Sequence, residues 1–318
     1  MEKLRQGWVG RVAAGAGLLG SGAVALAAAI FLLTAAPHNE AASFQSEVLS
    51  SPAPVVPPSP ARVAEVSFWS QSLGRVMPMF VYLPPAYLNN DKPLPVLYML
   101  HGLNGSHNDW QRMGLFDTAT QLIASGQIPP MIIVAPAGEN GYWLDHFNGG
   151  PRFGSYVSKD LVAYVDKHYR TAPERAFRAI GGMSMGAHGA LQLALNNPNT
   201  FSIVGAHSVA LRTKQQAFPL FGDETYFRQH DPVSILAKDP GRANGLRLWI
   251  DIGRNDSWFK AANAFHSQLQ SLNVAHSWQV WDGGHDAAYC SSHIADYLRY
   301  YGQAFASVEM TPTPTYFW

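Results

Sequence analysis

Gly182-Met183-Ser184-Met185-Gly186 follows the pattern G-x-S-x-G. Five residues of this kind also make an ordinary glycine turn with an N-capping serine, so the flanks decide between the two. Phe177–Ile180 is a strand-like run into Gly181-Gly182, and Gly186–Leu195 has the composition of a helix leading out. A serine at such a sharp strand-to-helix turn projects its hydroxyl above the sheet, and flanking glycines avoid side-chain collisions in the turn. The free N–H groups of the new helix point at the same place. The chemistry this permits is nucleophilic attack by Ser184 on an electrophilic carbon.

A serine nucleophile needs a base, and the base needs an orienting acid. Where the nucleophile sits on a strand-to-helix elbow, the acid and then the histidine follow it in the chain. Downstream stand His188, His207, His230, His266, His276, His285 and His293. His285 is singled out because Asp282-Gly283-Gly284-His285-Asp286 is a flexible loop just beyond the apolar run ending at Trp281. His188 lies one helical turn after Ser184 and reads as structural. His266 and His276 read as solvated or packed. Two carboxylates compete for the acid in Leu248-Trp249-Ile250-Asp251-Ile252-Gly253-Arg254-Asn255-Asp256. Asp251 belongs to the strand. Asp256 lies in the loop past its end, within reach of a neighbouring histidine loop, and is preferred, with Asp251 as the alternative.

Acyl transfer through a serine also needs two backbone N–H donors for the developing oxyanion. Met185, directly after the nucleophile, supplies one. The loop His101-Gly102-Leu103-Asn104-Gly105 follows the early apolar run Pro95–Leu100, and its glycines let the backbone turn back, making the Leu103 N–H the expected second donor.

These residues need a scaffold. Val63–Trp69 and Val76–Leu83 are strand-like, with Gly74 between them as a hairpin turn. Pro95–Leu100, Met131–Val134, Phe177–Ile180, Ile203–Ala206, Leu246–Ile252 and Ser277–Trp281 are further strands. Helical stretches fall near Phe116–Ala124, over Tyr156–Tyr169 with Val157, Leu161, Val165 and Tyr169 on one face, and near 258–272 and 290–305. Strands alternating with helices predict an α/β fold, a mostly parallel sheet with helices on both faces and ligands at the strands' carboxyl ends.

With those motifs in view, the chain resembles the esterase family of the α/β-hydrolase fold that includes esterase D (S-formylglutathione hydrolase), feruloyl esterase domains and the mycolyltransferase antigens. The resemblance covers about residues 62–305. It is carried by His101-Gly102-Leu103 with Trp110, by Pro136-Ala137-Gly138 leading to Gly141-Tyr142-Trp143-Leu144-Asp145, and by Gly181 to Ala190. Asn197-Pro198-Asn199-Thr200-Phe201, Asp251 to Asp256 and Gly283-Gly284-His285-Asp286 complete it. Ala187 departs from the second glycine common at that place. The resemblance implies a triad of Ser184, Asp256 and His285, Leu103 and Met185 as oxyanion donors, and cleavage of a carboxylic ester or thioester through an acyl-enzyme on Ser184. It leaves acyl transfer of the mycolyltransferase type as the alternative, although that branch has Ser-Met-Ala after its nucleophile where this chain has Ser-Met-Gly. Trp110, Trp143 and Trp258 are pocket candidates, and the segment Leu211 to Pro240 is a candidate roof. A non-catalytic surface-binding module on the same fold is a further alternative, opposed by the complete set of chemical residues.

The chain has 318 residues, of which only 14% are charged and 47% apolar, which excludes a disordered chain. Lys plus Arg and Asp plus Glu both number 22, so no global positive field recommends nucleic acid as a partner. Cys290 stands alone, which excludes an internal disulfide and a cysteine-based zinc site. No cofactor or metal is expected, and the expected partner is a small-molecule or cell-envelope ester. Val12 to Ala36 is a 25-residue run without charge, preceded by Lys3, Arg5 and Arg11. It is long enough to span a bilayer, and its flanks place the N-terminus inside. Residues 1–36 therefore read as a signal-anchor or signal peptide. Residues 37–61 read as a Pro/Ser-rich linker, 62–305 as the catalytic domain and 306–318 as a Thr/Pro tail. An extracytoplasmic, membrane-anchored protein is expected, or a secreted one if the segment is cleaved.

Overall fold

The computed structural model describes residues 60–308. The expected anchor, nearly all of the linker and the end of the tail lie outside the described residues. Among those described, no helix is long and apolar enough to cross a membrane.

Eight strands form one sheet: β1 (Arg62–Ser70), β2 (Arg75–Leu83), β3 (Val96–Leu100), β4 (Ile132–Pro136), β5 (Arg178–Met183), β6 (Ile203–His207), β7 (Arg247–Gly253) and β8 (Ser277–Trp281). Their order is β1-β2-β4-β3-β5-β6-β7-β8. β1 and β2 are a hairpin, turned at Gly74 with a φ of 64°, and β2 meets β4 antiparallel. Every pairing from β4 to β8 is parallel. This is the expected α/β architecture.

The central strands are buried on both faces, which is why they read as continuous apolar runs rather than alternating ones. Val96, Tyr98 and Leu100 of β3 face one core; Leu97 and Met99 face the other. The helix Met185–Asn196 packs in the first core, and Leu115–Ala124 and Ala287–Ala306 pack in the second. The expected single helix over Tyr156–Tyr169 is in fact two windings. Tyr156–Leu161 forms a wide π turn, and α-helix follows over Val162–His168. Within the wide turn, Asp160 accepts hydrogen bonds from the Ser70 hydroxyl at 2.6 Å and the Ser72 N–H at 2.7 Å, a tie to the β1–β2 turn that helical periodicity does not encode.

The strand order places the chemistry. β3 and β5 are neighbours in register, with Leu100 opposite Gly182, so the loop after β3 lies beside the turn after β5. β6, β7 and β8 follow in sequence, with Met183 opposite His207, His207 opposite Asp251, and Gly253 opposite Trp281. Five successive carboxyl ends therefore deliver Leu103, Ser184, Ser208, Asp256 and His285 to one rim.

Candidate active site

Ser184 occupies the turn between β5 and the helix Met185–Asn196 with φ 56° and ψ −114°, a strained conformation for a residue with a side chain. The glycines around it are required by contact. A Cβ on Gly186 would lie 2.3 Å from the Leu100 carbonyl oxygen, and one on Gly182 would lie 2.6 Å from the Gly186 carbonyl carbon. The Ser184 N–H donates to the His207 carbonyl at 3.0 Å, which fixes the strained turn to β6.

From that turn Ser184 Oγ lies 2.8 Å from His285 Nε2, and His285 Nδ1 lies 2.9 Å from Asp256 Oδ2. An ionised carboxylate only accepts, so Nδ1 carries the imidazole proton and Nε2 is left to take one from Ser184. Asp256 is buried, and burial alone would raise its pKa. Hydrogen bonds from His285, from the Ser208 hydroxyl and from the Trp258 N–H outweigh it and hold the carboxyl below its ordinary range.

The loop after β3 is built to present one N–H. His101 is fully buried, and burial lowers its pKa, so the ring is neutral. Its Nε2 accepts from the Gly138 N–H at 2.9 Å, which leaves the proton on Nδ1, donating to the Gly102 carbonyl at 2.8 Å. In a trans peptide the next N–H points the opposite way, so anchoring that carbonyl turns the Leu103 N–H outward. A Cβ on Gly102 would lie 3.5 Å from Ser184 Cβ, which places this peptide against the serine. The Leu103 and Met185 N–H groups have no acceptor among the described residues. Asn104 and Asn140 clamp the loop to its neighbour through bonds of 2.7 and 2.9 Å.

A cleft of about 220 Å³ opens here, lined by residues that include Leu103, Met183, Ser184, Ser208, His285 and Cys290. The expected roof does not cover it. No residue of 211–240 lines this cleft; Phe221 from that segment packs edge-on against Tyr142 and His188, with ring centres 5.1 and 5.5 Å apart. Two of the three candidate tryptophans, Trp110 and Trp143, are not exposed to the cleft. Trp110 is wholly buried in the second core, where its large apolar ring is removed from water. Trp143 is wholly buried too: its ring fills the space over Gly138 and Gly189, and its Nε1–H donates to the His101 carbonyl at 3.2 Å. It is a prop beneath the β3 loop. Trp258 is half-buried; its backbone caps Asp256, and its ring faces the Arg212 guanidinium at 5.0 Å.

Asp251 is placed away from the cleft. It is fully buried and takes four donors: His207 Nδ1 at 2.6 Å, Trp249 Nε1 at 2.8 Å, and the Tyr289 and Tyr297 hydroxyls at 2.9 and 3.1 Å. His207 Nε2 meets the Tyr301 hydroxyl at 2.9 Å. This network and Ser208 escaped sequence reasoning. The one available signal for Ser208 was its place just past the apolar run Ile203–Ala206, at a strand's carboxyl end. Cys290 is a free, buried thiol, and burial raises its pKa. Among the described residues no group of His, Cys, Asp and Glu is arranged to hold a metal.

A mostly parallel sheet with a strained serine at a strand-to-helix elbow beside a histidine loop marks the α/β-hydrolase fold. The particular family follows from comparison: residues 70–303 match the Esterase family model, described as "Putative esterase", and the chain belongs to that family. Among curated proteins, an acetyl esterase of Caldicellulosiruptor saccharolyticus is 23% identical over 266 residues, covering 74% of this chain and 96% of that protein. An endo-1,4-beta-xylanase/feruloyl esterase of Xylanibacter ruminicola is 29% identical over 151 residues, covering 45% of this chain and 21% of that protein. Among solved structures, a ferulic acid esterase superposes with a TM-score of 0.70 at 26% identity, covering 77% of this chain and 99% of that one.

Proposed function

We propose that this esterase works through Ser184, His285 and Asp256, with the Leu103 and Met185 N–H groups as the oxyanion hole. The observation that carries the reading is the continuous hydrogen-bonded line from Ser184 Oγ through His285 to Asp256 Oδ2, at 2.8 and 2.9 Å. His285 Nε2 takes the Ser184 proton as Oγ attacks the ester carbonyl. The carbonyl oxygen, gaining charge, moves between the two free N–H groups. Asp256 stabilises the imidazolium, which then gives its proton to the departing alcohol (or thiol). Water, activated by the same imidazole, releases the acid from Ser184.

The preferred acyl group is short. The cleft beside Ser184 is only about 220 Å³, and Trp110 and Trp143 are buried, so neither offers a platform for a planar aromatic acyl group. The similarity to an acetyl esterase over 96% of its length agrees with a short acyl group, while that to a ferulic acid esterase over 99% of its length is the competing reading that the panel below separates. The uncharged run 12–36 supports an extracytoplasmic location, tethered to a membrane, and the linker after it would hold the catalytic domain off the surface.

The test is a panel of p-nitrophenyl acetate, p-nitrophenyl decanoate, a feruloyl ester and S-formylglutathione, run with wild type and Ser184→Ala. The acetyl ester should be cleaved with the highest kcat/KM, and the variant should lose roughly 10⁴–10⁶ in kcat while keeping its fold. A variant within tenfold of wild type overturns the nucleophile. A feruloyl or decanoyl ester outrunning the acetyl ester overturns the short-acyl reading alone. Protease that cannot reach the full-length protein on intact spheroplasts would overturn the location.

A further inference from the structure

We infer that Ser208 is a positioning residue of the Asp256–His285 pair, setting the basicity of the acid and the plane of the imidazole; this rests on the proposed triad. The Ser208 hydroxyl donates to Asp256 Oδ2, and its oxygen lies 3.0 Å from His285 Nδ1. The Nδ1 proton therefore sits between two oxygens, Asp256 Oδ2 at 2.9 Å and Ser208 Oγ at 3.0 Å, which limits rotation of the ring. The placement of Ser208 is costly. Its φ is 49°, a left-handed conformation that penalises any side chain, yet the residue carries one. Its N–H donates to the Asp251 carbonyl at 2.9 Å, while the Ser184 N–H donates to the carbonyl of the preceding His207 at 3.0 Å. The buried His207–Asp251 pair thus holds the strained turn from which Ser208 reaches forward.

A hydroxyl donating to a carboxylate favours its ionised form and draws off charge. Removing the hydroxyl leaves Asp256 Oδ2 with a more basic lone pair facing Nδ1–H. The lost hydroxyl also accepted from Nδ1–H, but the charged carboxylate is the stronger acceptor, so the imidazolium becomes easier to form while the ring is less well aimed at Ser184. Of the other ionisable groups nearby, Tyr289 and Cys290 at the start of the last helix feel the Asp256 charge, and Asp251 and Asp286 act on Cys290. Tyr289 and Cys290 have pKa values raised chiefly by burial, so both stay neutral across an assay from pH 5 to 9.

The experiment measures kcat and KM for p-nitrophenyl acetate from pH 5 to 9 in Ser208→Ala, Ser208→Gly, Asp256→Asn and the Ser208→Ala/Asp256→Asn double variant. Glycine accepts the left-handed φ freely, so Ser208→Gly keeps the test alive if Ser208→Ala folds poorly. Both single Ser208 variants should lose about 3–30-fold in kcat with KM changed less than about twofold, and their acid limb of kcat/KM should move up by about half a pH unit. On the Asp256→Asn background, loss of Ser208 should change kcat by less than about twofold, because the two act as one unit. An unmoved acid limb in both variants, or a full multiplicative loss in the double variant, overturns the role of Ser208 while leaving the triad standing. An Asp256→Asn variant with near wild-type activity overturns the triad, and this inference with it.

Discussion

Asp251 and Asp256 lie on the same strand and its exit loop, and their surroundings give them different work. Asp251 has four donors and no access to the cleft, so its charge is spent inside the sheet's edge of tyrosines. Asp256 points one oxygen at its own loop and the other at His285. Replacing Asp256 with Asn lets an amide N–H donate to Nδ1, which favours the wrong tautomer of His285 and removes the partner of the imidazolium, so kcat should fall by about 10³–10⁴. Replacing Asp251 with Asn sets an N–H against a ring of donors, which should cost about 1–3 kcal/mol of stability with a far smaller loss in kcat. Steady-state kinetics and urea unfolding on both variants check the pair of expectations; the reverse ranking in kcat would transfer the role to Asp251.

At the scale of the element, the elbow works because three pieces of backbone come closer than side chains allow. The β5 turn, the first turn of the following helix and the end of β3 meet at Gly182 and Gly186. An added methyl at Gly186 would sit 2.3 Å from the Leu100 carbonyl oxygen and 2.8 Å from that of His101. Gly186→Ala must therefore push the loop after β3 away from Ser184, the proposed nucleophile. Overpacking of this kind costs about 1–3 kcal/mol. A displacement near 1 Å at the reacting atoms costs about 10²-fold in rate. Circular dichroism melts and kcat measured on one preparation separate the two effects; full activity in Gly186→Ala would show that the two donors need not be so close.

For the whole molecule, buried histidines make stability sensitive to mild acid. His188 is packed between Tyr142 and Phe221, and its pKa is lowered to about 3, first by burial and then by the charges of His230 and Arg212. Its folded pKa lies below the free value, so the unfolded chain binds the extra proton. Stability is therefore complete above about pH 6.5 and is lost as the pH falls from there toward 3. That loss is about 1.4 kcal/mol for each pH unit, or near 3 kcal/mol by pH 4.5. His101, also lowered by burial, adds to it in the same direction. Urea unfolding of wild type and His188→Leu at pH 7 and 4.5 measures the difference: the variant should lose distinctly less stability between the two. An equal loss in both would show that His188 is not the acid-sensitive group.

Local chemistry determined a good deal of this protein from the sequence alone. The elbow was legible because tight turns demand glycine at fixed offsets from the serine, and the strands because a sheet buried on both faces demands unbroken apolar runs. The proposed oxyanion loop and triad could be put forward from the sequence because the carboxyl ends of successive strands share one rim. Tertiary structure alone decided what lies between distant segments. Trp110 and Trp143 belong to sequence motifs, yet whether an indole turns to the cleft or to the core depends on which space its neighbours leave open; Gly138 and Gly189, 51 residues apart, leave that space for Trp143. Ser208 carries no motif, and it meets Asp256 and His285 only because β6, β7 and β8 are adjacent in the sheet. The four donors of Asp251 come from β6, β7 and the last helix, a convergence set by packing that no spacing along the chain records.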